Sequence, residues 1–260
     1  MKRIVVGMML CVYSILAHAA IKGEDIQYKV GGQVFKGYIA YDDAVKGKRP
    51  GVLVVHEWWG HNEYARKRAR MLAELGYTAL ALDMYGEGTQ AHHPEDAGKL
   101  AGEVRNNIEK AKVRFVAAKD LLKKQPTVDA QRIAAIGYCF GGAVVLQMAR
   151  SGLDLKGVAS FHGSLSTSSP AIRGAVKAKV LVANGAADPS IKLEEIAAFK
   201  KEMDGAGVDY KFINYPGAKH SFTVPEADEL GKKFNMPFAY SPEADKQSWA
   251  ELQALFKKIF

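Results

Sequence analysis

The chain has 260 residues, 48% of them hydrophobic and 25% charged, with 25 glycines, 9 prolines and 2 cysteines. That is enough apolar material for one sizeable core, and it excludes a disordered, collagen-like or disulfide-stapled chain. The formal charge of +8 is spread along the sequence, and its densest run is Arg66-Lys67-Arg68-Ala69-Arg70. The run reads as the solvated face of an amphipathic helix, so no nucleic-acid partner is expected.

Lys2-Arg3 is a basic start, Ile4 to Leu16 an apolar stretch, and Ala17-His18-Ala19 a small-residue cleavage site. These are the parts of a secretory signal peptide over residues 1–19, which implies a periplasmic or secreted protein. The leader is too short to span a bilayer comfortably, and no later apolar run reaches the ~18 residues a membrane helix needs. No membrane association is expected after cleavage. Removing Lys2 and Arg3 with the leader takes the charge from +8 to +6 and discards Cys11, leaving Cys139 as the mature chain's one thiol. An exported protein with a single cysteine has no internal disulfide, so its thiol invites a chemical explanation.

Residues 20–260 are expected to form a single α/β domain. Ile26–Val30 and Val34–Ala40 flank Gly31-Gly32 as an opening β-hairpin. Gly51–Val55 is apolar throughout, as in a strand covered on both faces. A helix from about Asn62 to Leu75 puts Ala65, Ala69, Leu72 and Ala73 on one side and stops at Gly76. The next strand is Thr78–Leu82. A long helix is then expected, with Val104, Ile108, Ala111, Phe115, Ala118 and Leu122 at spacings of three and four, ending before Pro126. Ile133–Ile136 is a buried strand and Gly142–Ala149 a helix. Strands at Lys156–Phe161, Lys179–Ala183 and Tyr210–Tyr215 follow, with a helix around Ile196–Met203 before the last of them. The closing helix has Ser241 as N-cap, Pro242 at its first position, and Trp249, Leu252, Phe256 and Ile259 inward. Alternating strands and helices with short connections imply a mainly parallel central sheet with helices on both faces.

Gly137-Tyr138-Cys139-Phe140-Gly141 has the form of a G-x-S-x-G nucleophile elbow with cysteine in place of serine. It lies between a strand and a helix, the context that motif requires. In such sheets chemistry collects at the carboxyl ends of strands. Asp188 follows the Val180–Ala183 strand and His220 the Lys211–Tyr215 strand, which gives the chain order nucleophile, acid, histidine of α/β-hydrolases. His56-Glu57-Trp58-Trp59-Gly60 follows the first buried strand. Its Trp58 amide and the Phe140 amide are the expected oxyanion-hole donors. Trp58, Trp59, Tyr85, Phe140 and Phe222 are expected to rim the pocket. His92-His93 lies near Glu95 and Asp96 without the spacing of a zinc site, so no metal is assigned, and no cofactor is implied.

Val55–Gly60, Leu82-Asp83-Met84-Tyr85, Gly137–Gly142, Asn184–Asp188 and Gly217–Phe222 together resemble the dienelactone hydrolase (carboxymethylenebutenolidase) family of the α/β-hydrolase superfamily. The resemblance implies an α/β-hydrolase fold and a Cys139-Asp188-His220 triad, with Glu57 engaging the resting thiol and moving aside for substrate. It departs where the family holds a substrate carboxylate by two arginines, since this chain has Glu87 and Val224 at those positions. The substrate is expected to be a small ester or lactone and the protein a monomer. A thiolate leaves more readily than an alkyl alkoxide, so a cysteine nucleophile favours enol lactones, aryl esters and thioesters over ethyl esters. A catalytically inert binding module on the same fold is the alternative.

Overall fold

The computed structural model describes residues 21–260. The leader expected at residues 1–19 lies outside them. The strands are β1 (Ile21–Val30), β2 (Gln33–Asp42), β3 (Arg49–Val55), β4 (Thr78–Leu82), β5 (Val128–Tyr138), β6 (Gly157–Phe161), β7 (Lys179–Gly185) and β8 (Tyr210–Tyr215). The helices are α1 (Glu63–Glu74), α2 (Pro94–Arg105), α3 (Ile108–Lys123), α4 (Phe140–Arg150), α5 (Leu193–Ala206), α6 (Ala227–Phe234) and α7 (Pro242–Ile259).

The strands form one sheet in the order β1-β2-β4-β3-β5-β6-β7-β8. β1, β2 and β4 pair antiparallel, and from β4 to β8 every pairing is parallel. Burial follows from this. Every residue of β3, β4 and β6 is buried, because crossover helices cover both faces of a parallel sheet. Leu53, Leu80, Ala135 and Val158 pack under α3 and α4 on one face. Val52, Val54, Ile136 and Leu181 pack under α1 and α7 on the other. The opening hairpin and the Ser241 cap of α7, whose side chain accepts from the Ala244 amide, are as the sequence implies.

Three features differ from the sequence expectation. The long helix is two helices, because Asn107 breaks the run and caps α3 by accepting the Lys110 amide at 2.9 Å. α6 was not expected; it is short, with Ala227 and Gly231 its buried residues. Arg68 is not solvated. It lies one helical turn from Ala65 and Leu72, on the inward stripe of α1, with 2% of its surface exposed. There it donates to the Tyr64 hydroxyl, the Thr223 carbonyl and Asp245.

The turn from β5 into α4 is held by close backbone approach. A Cβ on Gly137 would lie 2.1 Å from the Gly141 carbonyl oxygen, and one on Gly141 would lie 2.3 Å from the Val55 carbonyl oxygen. Cys139 between them adopts φ 52°, ψ −113°, a conformation that non-glycine residues avoid at a cost on the order of 1–3 kcal/mol. Gly141→Ala is therefore expected to lower the melting temperature steeply or to prevent folding. Gly102→Ala, inside α2 with nothing within 4 Å of a new Cβ, should stabilise by about 0.5–1 kcal/mol. Thermal melts of the two variants check this; equal effects would contradict the packing account.

Candidate active site

Three loops at the carboxyl edge of the sheet bring Cys139, Asp188 and His220 together. His220 Nε2 lies 3.1 Å from Cys139 Sγ, and its Nδ1 lies 2.7 Å from Asp188 Oδ2. The second Asp188 oxygen accepts the Ser190 amide at 2.9 Å and the Ser190 hydroxyl at 2.6 Å. The carboxylate is thereby fixed through both oxygens. Burial would raise the Asp188 pKa, but the His220 and Ser190 bonds outweigh it and hold the carboxyl below its ordinary range. Burial likewise works against a charged His220, yet the Cys139 charge and the Asp188 hydrogen bond lift its pKa well above that of free histidine. The imidazole is clamped sideways by His162, at 5.3 Å between ring centroids, and by Phe238, at 5.4 Å. His162 is fully buried, which keeps it neutral, and its Nε2 shares a 2.8 Å hydrogen bond with Thr223 Oγ1.

The loop after β3 is braced by a residue whose role the sequence did not disclose. His56 Nε2 accepts the Met84 amide at 3.1 Å, so Nδ1 carries the proton and donates to the Glu57 carbonyl at 2.5 Å. That carbonyl belongs to the same trans peptide as the Trp58 N–H, which must point the opposite way. Trp58 and Phe140 both line the cleft. Neither amide donates to another protein group among the described residues. Asp83 holds the facing loop by accepting the Tyr85, Gly86, Gly88 and Lys36 amides at 2.8–3.1 Å.

Glu57 is 3% exposed and accepts the Ser221 hydroxyl at 3.3 Å. The thiol's hydrogen-bond partner is His220, so the resting contact between Glu57 and Cys139 implied by the resemblance is not made here. The cleft has a volume of about 380 Å³.

Trp59, Tyr85, Glu87, Phe222 and Val224 do not line it. Trp59 stacks on Phe234 at 5.7 Å, and Tyr85 lies beneath Phe140 with its hydroxyl donating to the Trp58 carbonyl. Glu87 is exposed and turned to the opening hairpin, where it accepts the Val34 amide. Ser221, at φ 59°, reverses the chain after His220 and sends Phe222 and Val224 into the core under the sheet. The far wall is instead Met236, Pro237 and Phe238, from the segment between α6 and α7. Arg105, at the end of α2, lines the cleft, and no Asp or Glu does.

A family model described as the dienelactone hydrolase family matches residues 35–260. The chain belongs to the dienelactone hydrolase family. It is similar to a dienelactone-hydrolase-like promiscuous phosphotriesterase from metagenomic libraries, at 35% identity over 93% of this chain and 99% of the other, with a TM-score of 0.85. A structure named m3DLH is 39% identical over 93% of this chain and 99% of its own, with a TM-score of 0.87. Protein usf of Aquifex pyrophilus is 27% identical across 91% of this chain and 98% of its own length. The eight-stranded, mostly parallel sheet is the α/β-hydrolase fold of this dienelactone hydrolase family.

Burial raises the Glu57 pKa from 4.5 to about 7, with His220, Ser221 and Arg68 opposing. Between those two values the unfolded chain has lost a proton that the folded one keeps, so stability falls as pH rises through that window. The loss is about 3 kcal/mol and is complete above pH 7. Glu57→Gln carries no such loss. Its melting temperature should gain on the wild type by roughly 5–10 °C between pH 5 and pH 8. A constant offset between the two proteins would contradict this.

Proposed function

We propose that this member of the family is an exported hydrolase that cleaves activated esters or lactones with Cys139 as nucleophile. The observation that carries the reading is the unbroken line of contacts from Cys139 Sγ through His220 to Asp188. His220 takes the proton of the thiol, and Asp188 fixes the ring so that Nε2 faces sulfur. The sulfur adds to the substrate carbonyl, whose oxygen takes the negative charge against the Trp58 and Phe140 amides. Collapse of the adduct breaks the bond to the leaving group, which departs with the His220 proton and leaves a thioester on Cys139. Water then gives a proton to His220 and adds to the thioester. The carboxylic acid is released as the bond to sulfur breaks, and the His220 proton is available to Cys139 again.

Export rests on the basic start, apolar stretch and Ala17-His18-Ala19 site. Sulfur sets the substrate class. The tetrahedral adduct of an alkyl ester expels Cys139 more readily than the alkoxide, whereas an enolate, phenolate or thiolate is weakly basic enough to compete with it. Aryl phosphotriesters, with the same kind of leaving group, belong in the substrate panel because of the phosphotriesterase relative.

Phenyl acetate is expected to be hydrolysed at least about 100-fold faster than ethyl acetate, and the ratio should narrow in Cys139→Ser. Cys139→Ala should lower kcat/KM by roughly 10³-fold or more. Steady-state rates on the two esters test both statements. Equal rates on the two, with acylation limiting, or full activity in Cys139→Ala would overturn the proposal.

A further inference from the structure

The cleft over Cys139 does not end at α4. A second hollow of about 350 Å³ adjoins it, and the two share Arg105, Phe140, Ala143 and Ser164 as common wall. Each is on the scale of a small-ligand site, about 300–1,000 Å³. The second lobe is floored by Val104, Ile108, Ala111, Val144 and Met148, from α2, α3 and α4. Its polar edge carries Asn106, Ser166, Ser168, Gln147 and Thr167, of which Gln147 and Thr167 are bonded to each other at 2.8 Å. The apolar floor suits hydrocarbon, and the polar groups are confined to its edge.

The orientation of the reaction decides which part of a substrate reaches this lobe. The leaving group must face His220, which gives it the proton, and His220 lines the first lobe beside Met236, Pro237 and Phe238. The carbonyl oxygen faces the Trp58 and Phe140 amides. The remaining substituent of the carbonyl carbon, the acyl group, has the direction past Phe140 and Ala143. His220 and Cys139 are absent from the second lobe's lining, so what lies there is remote from the bonds that change.

We infer that the second lobe is an acyl subsite, and that the enzyme prefers esters and thioesters of medium-length apolar acids over acetyl esters. The inference rests on the ester-hydrolase reading above and adds the acyl class. Burial of a methylene is worth about fourfold in binding. Several methylenes partly buried here should therefore raise kcat/KM by an order of magnitude or more. Arg105 stands at the junction of the lobes with no ion pair among the described residues, and its aliphatic stem can cover a chain that passes it.

The test compares p-nitrophenyl acetate, butyrate and hexanoate in the wild type and in Ile108→Trp. Ile108 opens α3 and is only half-buried, so the larger ring reaches into the lobe with little demand on the core. The quantity read is the hexanoate-to-acetate ratio of kcat/KM, which is independent of the fraction of protein that is folded. The expected result is a wild-type ratio of roughly 10 or more, reduced about tenfold in Ile108→Trp. A flat series in the wild type overturns the inference while leaving the hydrolase reading intact, and so does a variant in which both esters fall together. Absence of any Cys139-dependent hydrolysis overturns the hydrolase reading itself.

Discussion

Cys139 is held at φ 52° by two backbone contacts too close for any side chain. Gly137 packs against the Gly141 carbonyl, and Gly141 packs against the carbonyl of Val55 at the end of β3. The second contact ties the elbow to the strand that launches the Glu57–Trp58 loop. The position of the sulfur and the position of the facing amide are therefore set by one contact between β3 and α4. Relaxing the turn would move Cys139 away from His220 and Phe140 away from Trp58 together.

Around that turn the polar groups are fixed in pairs of opposed bonds. His56 accepts with one nitrogen and donates with the other, which decides its tautomer and the tilt of the Glu57–Trp58 peptide. Asp188 uses one oxygen on Ser190 and the other on His220. His220 is clamped between His162 and Phe238. Each group has its second valence taken by the scaffold, so the reacting partner meets a site that needs little rearrangement. Glu57 is the exception. Buried with Ser221 as its one hydrogen-bond partner, it costs the fold stability once it ionises.

The elbow, the alternation of strands and helices and the positions of Asp188 and His220 were legible because each depends on local pattern. A five-residue motif must lie between a strand and a helix, and the acid and the histidine must each follow a buried apolar run. The pocket was not legible, because which way a loop side chain faces depends on single backbone angles. Ser221 at φ 59° turns Phe222 and Val224 inward, and nothing in their spacing from His220 announces it. The wall at Met236–Phe238 follows a short helix with two buried residues, too weak a pattern to read. Arg68 shows the opposite failure. Its spacing from Ala65 and Leu72 placed it on the inner stripe, but its charge and its basic neighbours suggested solvent. The correction at Glu87 and Val224 also changes the electrostatic picture, since the ionised side chain that lines the cleft beside His220 is Arg105.

The central claim is that catalysis runs through a thioester on Cys139. The direct measurement is intact-protein and peptide mass spectrometry on enzyme quenched in acid during turnover of an aryl ester. The account predicts a mass increase equal to the acyl group, located on the peptide containing Cys139 and released by neutral hydroxylamine. An acyl group found on a serine, or turnover that persists with no adduct at Cys139 and is undiminished in Cys139→Ala, would contradict it.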